Sequence, residues 1–475
     1  MIVSSFMRLS VMVVLSSLAS AAALAQTESL PKGQVVERIE ALNDSSETYA
    51  LYLPSNYTRD RKWPVLYAFD PGARGRVPVE RFKEAAEKYG WIVLGSNNSR
   101  NGPWNVVVNA WNAMLMDAHQ RFAIDDERSY ATGFSGGARV AVRVAVGCKC
   151  LAGVMANGAG FPAELVPSPQ MHFLFFGAAG VDDFNYAELK SLQEVLTKAG
   201  IIHRFQTFAG RHEWPPVSVA TAAVEWMELQ AIKTGKRPRN DGFINSMWQQ
   251  LLNEARSLEE SKNYTEAYQF YIDLAENFKG LRDVAEIESK VKQLGDSREV
   301  KAAIREEEAQ IRKQRELESR IHSLIAGRDG GASVNQSEDG FDAGNLLPTI
   351  LNDLRKQSKA AEDSTQRRIA RRVLDGLFVS LVEQGIGLLQ TEKKYSESIK
   401  PLKLAIEVNP DRPGVYFYLA WAYAAEGNKK KSLQLLNTAV EKGFSDAGMI
   451  TTNKAFDSIR NDPEYQQIMA KLKKQ

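Results

Sequence analysis

Gly133-Phe134-Ser135-Gly136-Gly137 stands between two segments of different character. Before it, Arg128-Ser129-Tyr130-Ala131-Thr132 reads as a short strand. After it, Ala138-Arg139-Val140-Ala141-Val142 opens a hydrophobic helix rich in small residues. Gly-x-Ser-x-Gly between a strand and a helix makes a turn so tight that only glycines fit beside the serine. The turn lifts the serine hydroxyl over the sheet edge, and the following helix aims its N-terminal N–H groups at the same spot. The pattern alone is weak. It marks a nucleophile only where an acid and a histidine follow in the right order and context.

The surrounding sequence supplies a matching frame. Residues 34–41 and 47–53 read as antiparallel strands about the turn Asn43-Asp44-Ser45-Ser46. Residues 64–69 form a buried strand ending in Asp70-Pro71-Gly72. A helix over 79–89, a strand over 91–96 and a long helix over 104–122 lead to the serine. Beyond it come strands at 151–156 and 172–176, a helix at 184–198, a strand at 203–208 and a helix at 217–232. Short apolar strands alternating with helices predict an α/β domain over 33–234 with a mostly parallel, doubly wound sheet.

The chain has only five histidines, which makes the search for a base strict. His119 and His172 precede any acid in a suitable loop, His322 lies in a charged helical stretch, and His203 heads a strand. His212 alone sits in a loop just past a strand end, in Ala209-Gly210-Arg211-His212-Glu213-Trp214. The acid should follow the strand at 172–176, where Gly177-Ala178-Ala179-Gly180-Val181-Asp182-Asp183-Phe184-Asn185 offers two carboxylates. One would hold the His212 tautomer and the other cap the next helix. Asp183 is the preferred acid and Asp182 stays open. Developing negative charge needs two backbone donors. The Gly136 N–H is one. Gly72 or Ala73, in the glycine-containing loop after the third strand, is the other. Asn98 and Trp214 are expected to wall the cleft.

These residues carry a resemblance. Residues 33–234 resemble a compact member of the α/β-hydrolase superfamily. They are most similar to the esterase branch of polyhydroxyalkanoate depolymerase-like, feruloyl-esterase-like and phospholipase/carboxylesterase-like proteins. The similarity lies in Leu53-Pro54, Trp63-Pro64-Val65-Leu66-Tyr67, Gly133 to Gly137, and Gly210-Arg211-His212-Glu213-Trp214. It implies that Ser135, Asp183 and His212 match the family's nucleophile, acid and histidine. The third-strand loop departs from the pattern, with Phe69-Asp70-Pro71-Gly72 in place of the His-Gly-Gly of many lipases and esterases. That departure leaves the second oxyanion donor open.

The rest of the 475-residue chain bounds the setting. Arg8, the apolar run 11–18 and Ala23-Leu24-Ala25 read as a signal peptide over 1–25, with an N-terminal anchor as its rival. The expected product is exported, periplasmic or secreted, without a transmembrane segment. A formal charge of +2 gives no support for nucleic-acid binding. The two cysteines, Cys148 and Cys150, are read as packed side chains rather than a redox pair. Two cysteines without clustered histidines speak against a zinc site, so neither metal nor cofactor is expected.

A basic linker at 235–242, Gly235-Lys236-Arg237-Pro238-Arg239-Asn240-Asp241-Gly242, leads to a helical remainder. Residues 243–325 form a helical region, 326–345 a flexible loop, and 346–475 an all-α repeat domain. Ser398, Leu402, Ala405 and Ile406 recur 34 residues later as Ser432, Leu436, Ala439 and Val440. That period belongs to tetratricopeptide-like helix pairs, with Pro410 at a turn. Leu251, Ala255, Leu258, Ala267, Tyr271 and Leu274 suggest an earlier unit at 248–281, and an ordinary helical bundle is the rival. Residues 297–320 read as a solvated charged helix. Three functions fit: a serine hydrolase of esters, a serine peptidase on the same fold, or an inert hydrolase-fold binding protein whose repeats dock a protein partner.

Overall fold

The computed structural model describes residues 30–329 and 343–472. The leader expected at 1–25 lies outside them, as does 330–342 from the loop expected at 326–345. The described flanks of that loop are helical.

Two antiparallel strands, β1 (Val35–Ala41) and β2 (Asp44–Tyr52), lead into β3 (Trp63–Phe69), β4 (Ile92–Ser96) and β5 (Ile124–Phe134). β6 (Gly153–Asn157), β7 (Leu174–Gly180) and β8 (His203–Phe208) complete one eight-stranded sheet. Its order is β1-β2-β4-β3-β5-β6-β7-β8, parallel from β4 to β8. Every residue of β3 and β4 is buried, as central strands covered on both faces require. β2 begins at Asp44 rather than 47. Its first three residues extend the hairpin past the covered sheet, where exposed Asp44, Ser45 and Ser46 cost nothing in burial.

Side chains alternate between two cores. One face sets Tyr52, Leu66, Val93, Tyr130 and Phe176 against α1 (Arg76–Tyr89) and α5 (Val217–Lys233). The other sets Leu51, Tyr67, Leu94 and Phe175 against α2 (Trp104–Arg121), α3 (Gly136–Cys148) and α4 (Tyr186–Lys198). At the end of α3, Lys149 takes a left-handed φ of 54° and turns the chain back. This brings the Cα atoms of Cys148 and Cys150 to 5.1 Å and joins the pair in a disulfide, not the two unlinked cysteines expected from sequence.

The compact units do not divide at 235–242. One ends at Ala309 and the other starts at Gln310, inside the long helix α9 (Arg298–Asp329). Helices α6 (Asp241–Glu260), α7 (Tyr264–Phe278) and α8 (Ala285–Asp296) share the core of α1 and α5 through Ile244, Trp248, Leu251, Leu274 and Phe278. Buried polar bonds tie them in. Asn277 Oδ1 accepts from Trp226 Nε1 at 2.8 Å and from Gln230 Nε2 at 2.7 Å. Arg204 Nε donates to Asp273 Oδ2 at 3.1 Å, both side chains being almost fully buried. Burial pushes the Asp273 carboxyl up, and Arg204 opposes that shift. The α6–α7 pair, for which the sequence offered either a separate repeat unit or ordinary helical packing, is part of the sheet's own covering layer.

The second unit is helical. It holds α10 (Ala343–Ser358), α11 (Thr365–Ile386), α12 (Tyr395–Val408), α13 (Pro413–Ala425) and α14 (Lys429–Glu441), followed by α15 (Ala447–Thr451) and α16 (Pro463–Leu472). Ser398, Leu402 and Ala405 of α12 are fully buried, and so are their 34-residue partners Ser432, Leu436 and Ala439 of α14. Residues Thr365–Thr391 form a helix long and apolar enough to cross a membrane. Ile369, Val373, Leu377 and Leu381 from it lie in this unit's core.

Asp273→Ala leaves the Arg204 guanidinium buried without its ion-pair partner. The full chain should lose roughly 3–5 kcal/mol of stability, read as a lower urea midpoint. Cutting the chain after 236 removes the whole α6–α8 cover and should yield insoluble or unfolded protein, whereas cutting after 309 should not. A soluble, cooperatively folding 30–236 fragment would show that the cover is dispensable.

Candidate active site

β5 ends at Phe134, and Ser135 follows with φ 53° and ψ −121°, a backbone state that costs about 1–3 kcal/mol for a residue with a side chain. Close packing enforces it. A Cβ on Gly133 would lie 2.0 Å from Gly137 O, and one on Gly137 would lie 2.1 Å from Phe69 O. Only glycine lets β5, the start of α3 and the end of β3 touch in this way. The Ser135 N–H donates to Asn157 O at 2.8 Å and ties the turn to β6.

His212 and Asp183 come from the loops after β8 and β7, at the same end of the sheet. Two backbone bonds bind these loops together: Val181 N to Phe208 O and Asp182 N to Gly210 O, both 2.9 Å. His212 Nε2 stands 2.9 Å from Ser135 Oγ, and His212 Nδ1 stands 2.9 Å from Asp183 Oδ1. Asp183 is fully buried and the His212 side chain only 14% exposed. The imidazole is thus held between a nucleophile and a carboxylate, with its Nδ1–H directed to Asp183 in the tautomer that leaves Nε2 open to accept the serine proton. Asp183 Oδ1 also accepts from Asn185 N at 2.8 Å. Asp182, the open alternative, is not the residue on His212.

Two rings that the sequence reading passed over steady the imidazole. Phe134 lies 4.6 Å and Phe184 4.1 Å from it, centroid to centroid. Their positions carry a signal, because one precedes the serine and the other follows the acid directly.

Asp70 is a third residue missed, after Phe134 and Phe184. It is fully buried, and its carboxylate accepts from Gly72 N at 2.8 Å, from Arg74 Nε at 2.8 Å and Nη2 at 3.0 Å, and from Trp214 Nε1 at 2.9 Å. Burial alone would raise its pKa, but these donors outweigh it and hold the carboxyl below its ordinary 3.8. Asp70 therefore pins the loop after β3 to the loop that carries His212.

Hydrogen bonds already made place the remaining expected site residues, Gly136 apart, otherwise than the sequence suggested. The Gly72 N–H goes to Asp70 Oδ1 and the Ala73 N–H to Asp70 O at 3.1 Å, so neither candidate second oxyanion donor is directed at the serine. Ala73 has φ 59°, which fits this tight turn. Trp214 is buried, its indole committed to Asp70, and forms a support rather than an open wall. Asn98 accepts from Thr48 N at 2.9 Å and donates to Ser46 O at 3.0 Å, so it fastens its loop to β2. Gly136 opens α3, where an N–H has no carbonyl one turn back to bond. It stays a donor beside Ser135.

The connection from β6 to β7, 158–173, contains neither helix nor strand and forms no cap domain over the serine. A separate cavity of about 400 Å³ lies at the opposite end of β8, among Thr197, Ile201, Arg204, Lys233, Asp273 and Glu276. Among the described residues there is no cluster of three or more metal-ligating side chains.

No family model and no curated protein matches the sequence. Solved structures do match part of the chain. A fluorophosphonate-binding serine hydrolase of Staphylococcus aureus is 12% identical, with a TM-score of 0.32, over 42% of this chain and 99% of its own. A ferulic acid esterase is 17% identical, with a TM-score of 0.34, over 40% and 94%. Esterase B of Lactobacillus rhamnosis is 14% identical, with a TM-score of 0.34, over 50% and 99%.

Asp70→Ala should lower stability by about 1–3 kcal/mol, because the Trp214 N–H loses its buried partner. The contribution has a pH signature. A folded pKa below 3.8 means that the stabilisation is complete above that value and disappears as pH falls through the lower folded value. Acid titrations of unfolding midpoint should therefore converge for wild type and Asp70→Asn at low pH and diverge toward neutrality. Parallel curves would show that the Asp70 charge contributes nothing.

Proposed function

We propose that this protein is an exported serine hydrolase that cleaves carboxylic esters through an acyl-enzyme. One observation carries the reading: His212 bridges Ser135 Oγ and Asp183 Oδ1 at 2.9 Å on each side. Ser135 Oγ attacks the acyl carbon as His212 Nε2 takes its proton. Asp183 fixes the tautomer and stabilises the imidazolium, and the Gly136 N–H faces the oxyanion. His212 then returns the proton to the leaving alkoxide. A water deprotonated by the same base releases the acid and frees Ser135.

The glycine-framed serine, the strand order and the acid–histidine loops support placing 33–234 in the α/β-hydrolase superfamily, on its esterase side. The uncapped connection over 158–173 favours bulky or surface-bound esters over small enclosed ones. Export is supported by the leader pattern at 1–25 and by the Cys148–Cys150 disulfide, which persists in an oxidising compartment. The 34-residue recurrence in α12 and α14 supports a tetratricopeptide-like role for the second unit in docking a protein.

The protein should hydrolyse p-nitrophenyl acetate. Ser135→Ala should abolish this on the order of a thousandfold or more, and His212→Ala should do the same, because such residues act as a unit. His203, which bonds to Ile201 O and Thr197, packs on Phe205 and has none of Ser135, Asp183 and His212 among these partners, should tolerate alanine. A folded Ser135→Ala protein with undiminished turnover would refute the assignment. A matched set of acyl esters and peptide amides separates esterase from peptidase, with ester cleavage expected to dominate.

A further inference from the structure

The helix that opens beside Ser135 ends in a disulfide. α3 has 13 residues, so about 20 Å of helix separates the serine from Cys148. The link closes over a single residue, Lys149. The entropy a cross-link takes from the unfolded chain grows with the loop it closes, and here that loop is minimal. Nor does the link join elements that would otherwise part. The Lys149 N–H donates to Ala145 O at 3.2 Å, Leu151 is buried, and Ala152 N donates to Ser129 O at 2.7 Å. These contacts hold the left-handed turn at Lys149, and with it the 5.1 Å between the two Cα atoms, whether or not the sulfurs are joined. As a staple the bond is nearly redundant.

As a reacting group it is well placed. Cys150 and Lys149 are exposed, whereas Cys148 is partly buried against the core under α3. Attack by a thiolate from solution therefore falls on Cys150. The sulfur displaced in that attack, Cys148 Sγ, already accepts the Cys150 N–H at 3.1 Å. Lys149 sets a positive charge between the two cysteines. Both features favour the departing thiolate, and a stabilised leaving group speeds exchange. The carbonyl end of α3 opposes that charge, but Ala145 O is already capped by the Lys149 N–H.

We propose that Cys148-Lys149-Cys150 is a second active site, a thiol–disulfide exchange centre whose substrate is an accessible cysteine thiolate of another polypeptide. It is independent of the acyl-transfer reading of Ser135. The client sulfur bonds to Cys150 Sγ as the Cys148–Cys150 bond breaks, and the electron pair of that bond stays on Cys148 Sγ. A second client thiolate then attacks the client sulfur of the mixed disulfide. The client leaves as a disulfide and Cys150 as a thiolate, so two client thiols are oxidised and one disulfide of this protein is reduced. Glutathione disulfide restores the pair by two further exchanges and is itself reduced to two thiols. Where Cys148 returns to the mixed disulfide first, the client thiolate is set free and no net oxidation occurs.

The rival role is a permanent staple. Full-length wild type, Ser135→Ala and the double variant Cys148→Ala/Cys150→Ala are each added to a ribonuclease with scrambled disulfides in a glutathione buffer, and the return of ribonuclease activity is followed. Wild type and Ser135→Ala should speed that return about fivefold or more over buffer, and the double variant should not. Cys148→Ala keeps the attacking Cys150 thiol without its resolving partner, so it should retain the client as a mixed disulfide on a non-reducing gel. Wild type no faster than the double variant overturns the proposal. So does a Cys148–Cys150 bond that yields no maleimide-reactive thiol in any of the glutathione buffers. If the double variant does not fold, wild type reduced and alkylated with iodoacetamide takes its place in the comparison.

Discussion

The turn at Ser135 is the constraint on which the rest of the molecule depends. A non-glycine residue at φ 53° is stable only when its neighbours over-determine it. Here three elements do so at once. The end of β3 presses on Gly137, Gly137 presses on Gly133, and Asn157 of β6 holds the Ser135 N–H. A side chain at either glycine would push β3 and α3 apart, and the serine would fall back toward an ordinary conformation. The sheet can therefore be seen as the clamp that keeps one backbone residue in an unfavourable state.

Asp70 extends that clamp to the next loop. Four hydrogen bonds converge on one buried carboxylate, two from its own loop's Arg74, one from Gly72 and one from Trp214 near His212. Those bonds are strong because the acceptor is ionised and itself buried. They also set a limit. A loop whose Gly72 and Ala73 N–H groups are turned inward to Asp70 cannot offer them outward.

What could be read from the sequence follows a physical line. The strands were legible because buried parallel strands are short apolar runs, and β3, β4 and β6 are buried throughout. Ser135 stood out through its glycines. His212 stood out because five histidines leave few choices and only one sits in a loop past a strand end. Asp70 did not stand out. Its tie to the loop of His212 depends on Trp214, 144 positions away, which no local pattern encodes. The Cys148–Cys150 link was misread because the turn at Lys149 depends on a left-handed residue that lysine rarely provides. The boundary at 235–242 was misread for a related reason. A loop of turn-forming residues looks like a linker whether or not the helices beyond it fold back onto the sheet.

That fold-back constrains how such a gene can be rearranged. Arg204 on β8 and Trp226 on α5 each keep their polar partner on α7, some fifty to seventy positions downstream. A recombination breakpoint at the glycine- and proline-containing turn would hand the sheet to a new neighbour with a buried guanidinium and a buried indole unmatched. The transferable cassette is the sheet together with α6, α7 and α8. A join at Ala309, where the first unit ends and the second begins inside the charged helix α9, leaves both units whole.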